Sequence, residues 1–318
     1  MSAGVAEPVS PARGGLKSLL EADFADGTVV RQNVSLAELT TLRVGGQADW
    51  FAEPQSQADL SALVSASREH GLPVTALGLG SNFLVLDSGV RGLTVRLSAG
   101  VFAGIEVDGS RLKCGAAARM KKVAAEARRC RLAGMEFLEG IPGSVGGGLR
   151  MNAGAMGSEL FDVVETVRFM DPAGEVFEMS AESIESTYRS CPLLKNQIAL
   201  GAVLKGEPDT GEAIAARMAE YSQKRWGSQP KARSAGCIFK NPEGIPAGKL
   251  VDELGLKGAT EGGAMVSQEH GNFIVNNGDA TAGDILRLID RIRERALGER
   301  GIELQTEVQI IGREDGRV

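Results

Sequence analysis

Apolar residues in this chain recur in two rhythms, short continuous runs and helical three-to-four spacings, and the two alternate from about Asn33 onward. Trp50-Phe51-Ala52 is a short apolar run closed by Glu53-Pro54. Ser56 then precedes a helical period that puts Leu60, Leu63 and Val64 on one face. Val74 to Leu77 reads as a buried strand, Phe83 to Leu86 as the next, and Leu93 to Leu97 as another. Ile105 to Cys114 reads as a hairpin turning at Asp108-Gly109. Ala116 to Leu132 carries an amphipathic helix with a basic outer face.

A second hairpin is expected from Val163 to Met179, turning at Asp171-Pro172-Ala173-Gly174, and Ile198 to Leu204 is an apolar strand. The composition changes at Gly206 to Gly211, where the last domain boundary is placed. A helix follows from about Glu212 to Lys224. Near the end, Thr281 and Asp284 form a capping box ahead of the stripe Ile285, Leu288, Ile289 and Ile292. Glu303 to Ile311 alternates polar and apolar residues as a closing strand. Residues 1–14 are small and aperiodic, a pattern of disorder, and Leu16 to Phe24 suggests a short helix. The expected organisation is an extension over 1–32 and units over 33–97, 98–206 and 207–318.

Composition narrows the function. With 43% apolar and 24% charged residues, the 318-residue chain fits a globular protein with a real core. A net charge of −6 leaves no basic excess for nucleic acid, so none is expected as partner. Cys114, Cys130, Cys191 and Cys237 form no CxxC and no zinc spacing, which predicts reduced thiols, a cytoplasmic location and no metal. His70 and His270 are the only histidines, too few for a His-rich metal site. No 18-residue apolar run occurs, so no membrane span is expected.

Two glycine-rich stretches lie between the periodic elements: Gly78-Leu79-Gly80-Ser81-Asn82, and Ile141-Pro142-Gly143-Ser144-Val145-Gly146-Gly147-Gly148. Glycines let backbone N–H groups converge on an anion. Neither stretch matches GxGxxG or GxxxxGK[ST], which argues against a Rossmann site or a P-loop. Each alone reads as a structural turn before a phosphate cradle. Asn152-Ala153-Gly154-Ala155 just after the second raises the odds of a diphosphate site. Lys224, Arg225 and Lys231 read by default as a solvated charge run. Glu307, by alternation alone, is a solvent-facing strand residue, and Arg189 alone is an exposed loop arginine.

Taken together, Thr40-Thr41-Leu42-Arg43-Val44-Gly45-Gly46, the GLGSN turn, the IPGSVGG loop with MNAGA, Tyr188-Arg189-Ser190, Ala235-Gly236-Cys237-Ile238-Phe239-Lys240-Asn241-Pro242 and Glu307 to Gly312 occur in one order. In that order the chain resembles the UDP-N-acetylenolpyruvoylglucosamine reductases from about residue 33 to 312. The resemblance implies an α+β protein, with a two-subdomain FAD-binding fold of the vanillyl-alcohol-oxidase type plus a C-terminal substrate domain. It implies non-covalent FAD, NADPH as co-substrate and the enolpyruvyl ether of UDP-N-acetylglucosamine as substrate, in a monomer. No His or Cys lies in residues 74–86 or 139–158 to anchor a flavin covalently.

The resemblance assigns FAD contacts to Gly78, Leu79, Gly80, Ser81, Asn82, Ile141, Pro142, Gly143, Ser144, Gly146, Gly147, Asn152, Gly154 and Ala155. It assigns catalysis to Arg189, Cys237 and Glu307, and substrate contacts to Arg225, Lys240, Asn241 and Glu253. His270 is expected to be scaffold.

The chain departs from the family pattern at three positions. Cys237 stands where serine is usual as proton donor, Cys191 where serine is common after the tyrosine-arginine pair, and Met156 where tyrosine is common. The short gap from Arg189 to Ile198 resembles the family's second type. An unperturbed thiol pKa of about 8.5 predicts that activity falls in mildly alkaline buffer as Cys237 ionises. Another flavin oxidoreductase of the same fold would keep the flavin loops but need not keep Arg189, Cys237 and Glu307. An inactive nucleotide-binding homologue would treat loss of the serine as loss of function.

Overall fold

The chain is described here by a computed structural model covering residues 24–98 and 100–312. The helix expected from Leu16 and the tail before it lie outside those residues, Phe24 excepted.

The first unit is a four-stranded sheet in the order Val29–Ser35, Gln47–Glu53, Val90–Arg96, Val74–Leu77. The outer pair, Val29–Ser35 and Gln47–Glu53, is antiparallel; the other two pairings are parallel. The sheet therefore starts at Val29, four residues before the expected edge at 33. Between Gln47–Glu53 and Val74–Leu77 runs the helix Gln57–Glu69, whose N-cap Ser56 accepts from the Asp59 N–H. Its buried Leu60, Leu63 and Val64 pack with Trp50, Leu93 and Val95. Only Leu77 of Val74–Leu77 is buried. The expected buried strand is a cavity wall: Thr75 and Ala76 face an open cleft.

The second unit is a five-stranded antiparallel sheet ordered Val176–Ser180, Val164–Met170, Ile198–Lys205, Arg111–Gly115, Ile105–Asp108. Asp108 still pairs with Arg111, so the first hairpin turns at Gly109-Ser110 rather than Asp108-Gly109. Gly109 takes φ +60°, the backbone that glycine adopts at least cost. The second hairpin closes on Asp171, whose Oδ1 accepts from the N–H groups of Ala173 and Glu175. The expected Ala116–Leu132 helix is shorter, Met120–Arg129. Residues 116–118 spend their backbone elsewhere: the Ala116 and Ala117 N–H groups donate to Leu200 O and Phe102 O, and the Ala116 and Ala118 carbonyls accept from the Gly146 and Val145 N–H groups.

The third unit contains the helix Ala247–Glu253, a small sheet including Ala264–Val266 and Ile274–Asn276, and the helix Ala282–Arg300. The capping box of Thr281 and Asp284 is present, and Ile285, Leu288, Ile289 and Ile292 are buried. The chain then returns: Gln309–Ile311 pairs in parallel with Phe83–Val85 of the first unit. The closing strand is thus shorter than Glu303 to Ile311. Residues before it bond to 238–240 instead, through Glu307 N–H to Ile238 O and Lys240 N–H to Gln305 O.

Packing crosses the boundary expected at 206/207. The helix Gly211–Trp226 places Ile214 and Met218 in the core of the second unit. Arg217 on that helix bonds the buried carboxylate of Glu136 and also Asp209. The glycine-rich change at 206–211 marks a turn, not a change of core. Leu42, Val44 and Leu84, from the first unit, lie in the core of the third.

Candidate functional site

All three units contribute to one cavity of about 1010 Å³. Gly78–Asn82 and Ile141–Gly148 form facing rims, and Ser81 Oγ donates to Pro142 O at 3.0 Å to join them. Gly80 has φ +65°, and a Cβ there would sit 2.3 Å from Leu39 O. Only glycine fits both the backbone and the space. Among the described residues, none accepts from the main-chain N–H of Leu79, Gly80, Ser81 or Asn82. Unspent donors on a glycine turn at a cavity wall suit a diphosphate. The residues present therefore fit the dinucleotide that the sequence suggests.

The Thr40–Gly46 stretch, expected to share in this signature, is absent from the cavity lining. It braces the turn from behind. The Thr41 N–H donates to Gly80 O, and Thr41 Oγ1 reaches Ser234 O at 2.6 Å. Asn152 also lies off the cavity wall, 2% exposed. Its amide donates to Glu159 Oε2 at 2.7 Å and approaches Thr187 O, so it shapes the chain ahead of Arg189. Asn82 lines the cavity, yet its amide donates to Glu307 O at 3.2 Å. The other expected flavin contacts, Gly78 to Ser81, Ile141 to Ser144, Gly146, Gly147, Gly154 and Ala155, all line the cavity.

Arg189, Cys237 and Glu307 converge on the same cavity from three distant stretches. Arg189 sits at the tip of a tight turn in which the Thr187 and Ser190 backbones exchange hydrogen bonds, with φ +56° at Arg189. Its Nε donates to Glu307 Oε1 at 2.8 Å and its Nη2 to Gly154 O at 3.1 Å. The Tyr188 ring lies 4.8 Å from its Cζ, over the guanidinium face. Arg189 is thus held by a carboxylate, a carbonyl and an aromatic ring at once.

Cys237 follows Gly236 at φ +76° and precedes a segment clamped by Asn272. Asn272 is 2% exposed; its Oδ1 accepts from the Phe239 N–H and its Nδ2 donates to Phe239 O, both at 2.8 Å. His270 serves this brace, accepting from the Asn272 N–H at Nδ1 and meeting Phe273 edge-on. Burial and the nearby Glu307 carboxylate push the Cys237 thiol up to about 12, against the pull of Arg189 and Arg225. The alkaline decline expected from an ordinary thiol is therefore corrected: Cys237 stays protonated through mildly alkaline pH. Glu307 is itself shifted upward by burial, opposed by Arg189 and Lys240.

The expected substrate contacts divide. Arg225 lines the cavity, half-buried, and desolvation lowers its pKa. Lys240 is off the lining but near enough to Glu307 to act on its charge. Asn241 is spent on a turn, its Oδ1 accepting from the Ala247 N–H at 3.0 Å. Glu253 lies outside the cavity, paired with Lys249 at 3.8 Å and Arg300 at 3.3 Å. Its helix faces solvent there, which sequence order alone does not reveal. Cys191 is fully buried packing, and Met156 is 40% exposed at the cavity rim. Arg150 was not among the expected residues, yet it also lines the cavity. Its spacing after Gly147 was the available signal, masked by the glycines around it. Among the described residues, no cluster of His, Cys, Asp and Glu is placed to hold a metal, and no helix is long and apolar enough to cross a membrane.

Comparison with known proteins adds to this geometry. Residues 229–311 match the C-terminal domain of UDP-N-acetylenolpyruvoylglucosamine reductase, and residues 48–180 match an FAD-binding domain. The reductase of that name from Methylorubrum extorquens is 43% identical over 88% of this chain and 91% of its own. The one from Caulobacter vibrioides is 43% identical over 88% of this chain and 93% of its own. The crystal structure of the Thermus caldophilus reductase aligns with a TM-score of 0.79 at 39% identity, covering 90% of this chain and 100% of that one.

Proposed function

Because this chain belongs to the UDP-N-acetylenolpyruvoylglucosamine reductase family, we propose that it reduces the enolpyruvyl ether of UDP-N-acetylglucosamine to UDP-N-acetylmuramate, a step of peptidoglycan precursor synthesis, with NADPH as reductant. The observation that carries this reading is the meeting of Arg189, Cys237 and Glu307 in a cavity that is also lined by a glycine-rich anion cradle. FAD, when bound, would supply the hydride chemistry that links NADPH to the substrate.

The chain's own residues do the rest. The Gly78–Asn82 and Gly143–Gly147 backbones would hold the cofactor's diphosphate. Arg189 presents a planar guanidinium to the substrate carboxylate, which gains enolate charge as hydride reaches C3. Glu307 keeps that guanidinium in place through the 2.8 Å contact. The Cys237 Sγ–H gives its proton to C2 of the enolate, and solvent restores it. One hydride and one proton thus saturate the double bond. Burial keeps the thiol neutral between turnovers, the form a proton donor requires. Arg225, half-buried beside Cys237, suits the nucleotide diphosphate. The cavity is built within one chain, which suits a monomer, and four free cysteines suit the cytoplasm.

The test is direct. The purified protein should be yellow, release all flavin on acid precipitation, and oxidise NADPH rapidly only when the UDP-enolpyruvyl sugar is present. NADPH oxidation indifferent to that sugar sinks the proposal.

A further inference from the structure

The cavity wall carries more buried positive charge than its own acids neutralise. Its two carboxylates are Asp171 and Glu307. Glu307 is engaged by Arg189, and Asp171 caps its own turn by accepting from Ala173 and Glu175. Arg68 and Lys195 also line the cavity but are exposed and solvated. Arg150 and Arg225 are left. Both are half-buried, and among the described residues neither guanidinium has a hydrogen-bond or ion-pair partner. Arg225 stands beside Cys237, with its side chain also close to Gly140. Arg150 stands near the C-terminal end of the Val145–Met151 helix, which carries Gly146 and Gly147 of the rim. Cys191 lies near it, a buried thiol whose pKa is raised, so that it brings no compensating charge.

We propose that Arg150 is a cofactor-binding residue whose guanidinium pairs with the diphosphate of bound FAD. A guanidinium withdrawn from water without a partner is costly, and the cost is recovered when an anion arrives. The planar fork of arginine matches phosphate oxygens with two parallel N–H donors. The rim supplies neutral backbone donors; Arg150 adds the fixed charge that they lack. FAD is the anion seated against that rim, so the charge and the cradle serve one ligand. The assignment rests on the FAD reading above, and not on the identity of the sugar nucleotide.

The experiment strips flavin from the full-length chain and titrates FAD back, following quenching of flavin fluorescence, at low and high salt. Arg150→Met is expected to weaken FAD about 10- to 100-fold at low salt, the worth of one charged hydrogen-bond pair. The gap between parent and variant should narrow as salt screens the charge, and Arg150→Lys should recover part of the affinity. Thermal melting of the stripped proteins checks that each variant folds; if Arg150→Met does not, Arg150→Gln takes its place. An affinity within twofold of the parent in a folded variant overturns the proposal. So does a loss that is the same at both salt concentrations and unrelieved by lysine, which would mark Arg150 as packing. Failure of the parent to bind FAD at all overturns the FAD reading beneath it.

Discussion

Two parts of the cavity wall are built by opposite means. In the glycine rims, Gly78–Asn82 and Ile141–Gly148 are short stretches of local sequence, and the chemistry lies in their backbones. What matters there is the absence of side chains: a Cβ on Gly80 would meet Leu39 O at 2.3 Å. In the catalytic set the chemistry lies in side chains, and Arg189, Cys237 and Glu307 arrive from segments far apart in the chain. The rims are intolerant of additions. The catalytic set is intolerant of removals. Asn82 joins them, lining the cavity while its amide holds the Glu307 carbonyl.

That contrast can be broken by substitution, and the largest effect is expected at the proton donor. Cys237→Ala should reduce turnover of the enolpyruvyl substrate about 10²–10⁴-fold, the worth of a general acid, while flavin reduction by NADPH stays near the parent rate. Rapid mixing with each substrate separates the two halves. Cys237→Ser should restore most of the loss, since a hydroxyl is also a neutral donor. Parent-rate turnover in Cys237→Ala removes the thiol from the mechanism.

Arg189→Ala should slow reoxidation of the reduced flavin by the sugar nucleotide roughly 10²–10³-fold, as for one lost oxyanion donor. No enolate forms while NADPH reduces the flavin, so that half should hold. Equal loss in both halves would instead make Arg189 part of the scaffold or of the NADPH site.

Gly80→Ala attacks the glycine rim. A non-glycine residue at φ +65° costs roughly 1–3 kcal/mol before the clash with Leu39 O is counted. The variant should purify with substoichiometric flavin and melt several degrees lower. Full flavin content at the parent melting temperature would show that the turn can move aside.

The pH profile sharpens the comparison more gently. A proton donor works below its own pKa, and the Cys237 thiol is raised to about 12. The proton-transfer step should therefore be flat from neutral to mildly alkaline pH, with Cys237→Ser showing the same plateau. A decline centred near pH 8.5, the unperturbed thiol value of about 8.5, would show that the thiol is less buried than described. The smallest effect is expected at Glu253, which is paired with Lys249 and Arg300 outside the cavity. Glu253→Gln should leave kcat and KM within about twofold, as for an exposed ion pair. A large rise in KM for the sugar nucleotide would return Glu253 to the site.

Local pattern was enough for much of this molecule. The capped helices at Gln57–Glu69 and Ala282–Arg300, both hairpins and the two glycine rims were legible, because capping, periodicity and turn chemistry act over a few residues. The Met120–Arg129 helix was overextended, since nothing local says that the 116–118 backbone is claimed by Leu200 and Phe102. Val74–Leu77 read as a core strand because a wall that faces a ligand cavity is as apolar as one that faces a core.

What the sequence determined by itself is therefore the set of parts: strands, caps, glycine turns and the residue types able to carry charge and proton. Tertiary structure decided which parts meet. Return of Gln309–Ile311 to Phe83–Val85 brings Glu307 to Arg189. Packing of Gly211–Trp226 on the second unit, against the boundary that composition suggested, sets Arg225 over the cavity. Burial then raises the Cys237 thiol far above its free value. Contacts between distant segments and the loss of water around a group are properties of the assembled fold, and no window of neighbouring residues contains them.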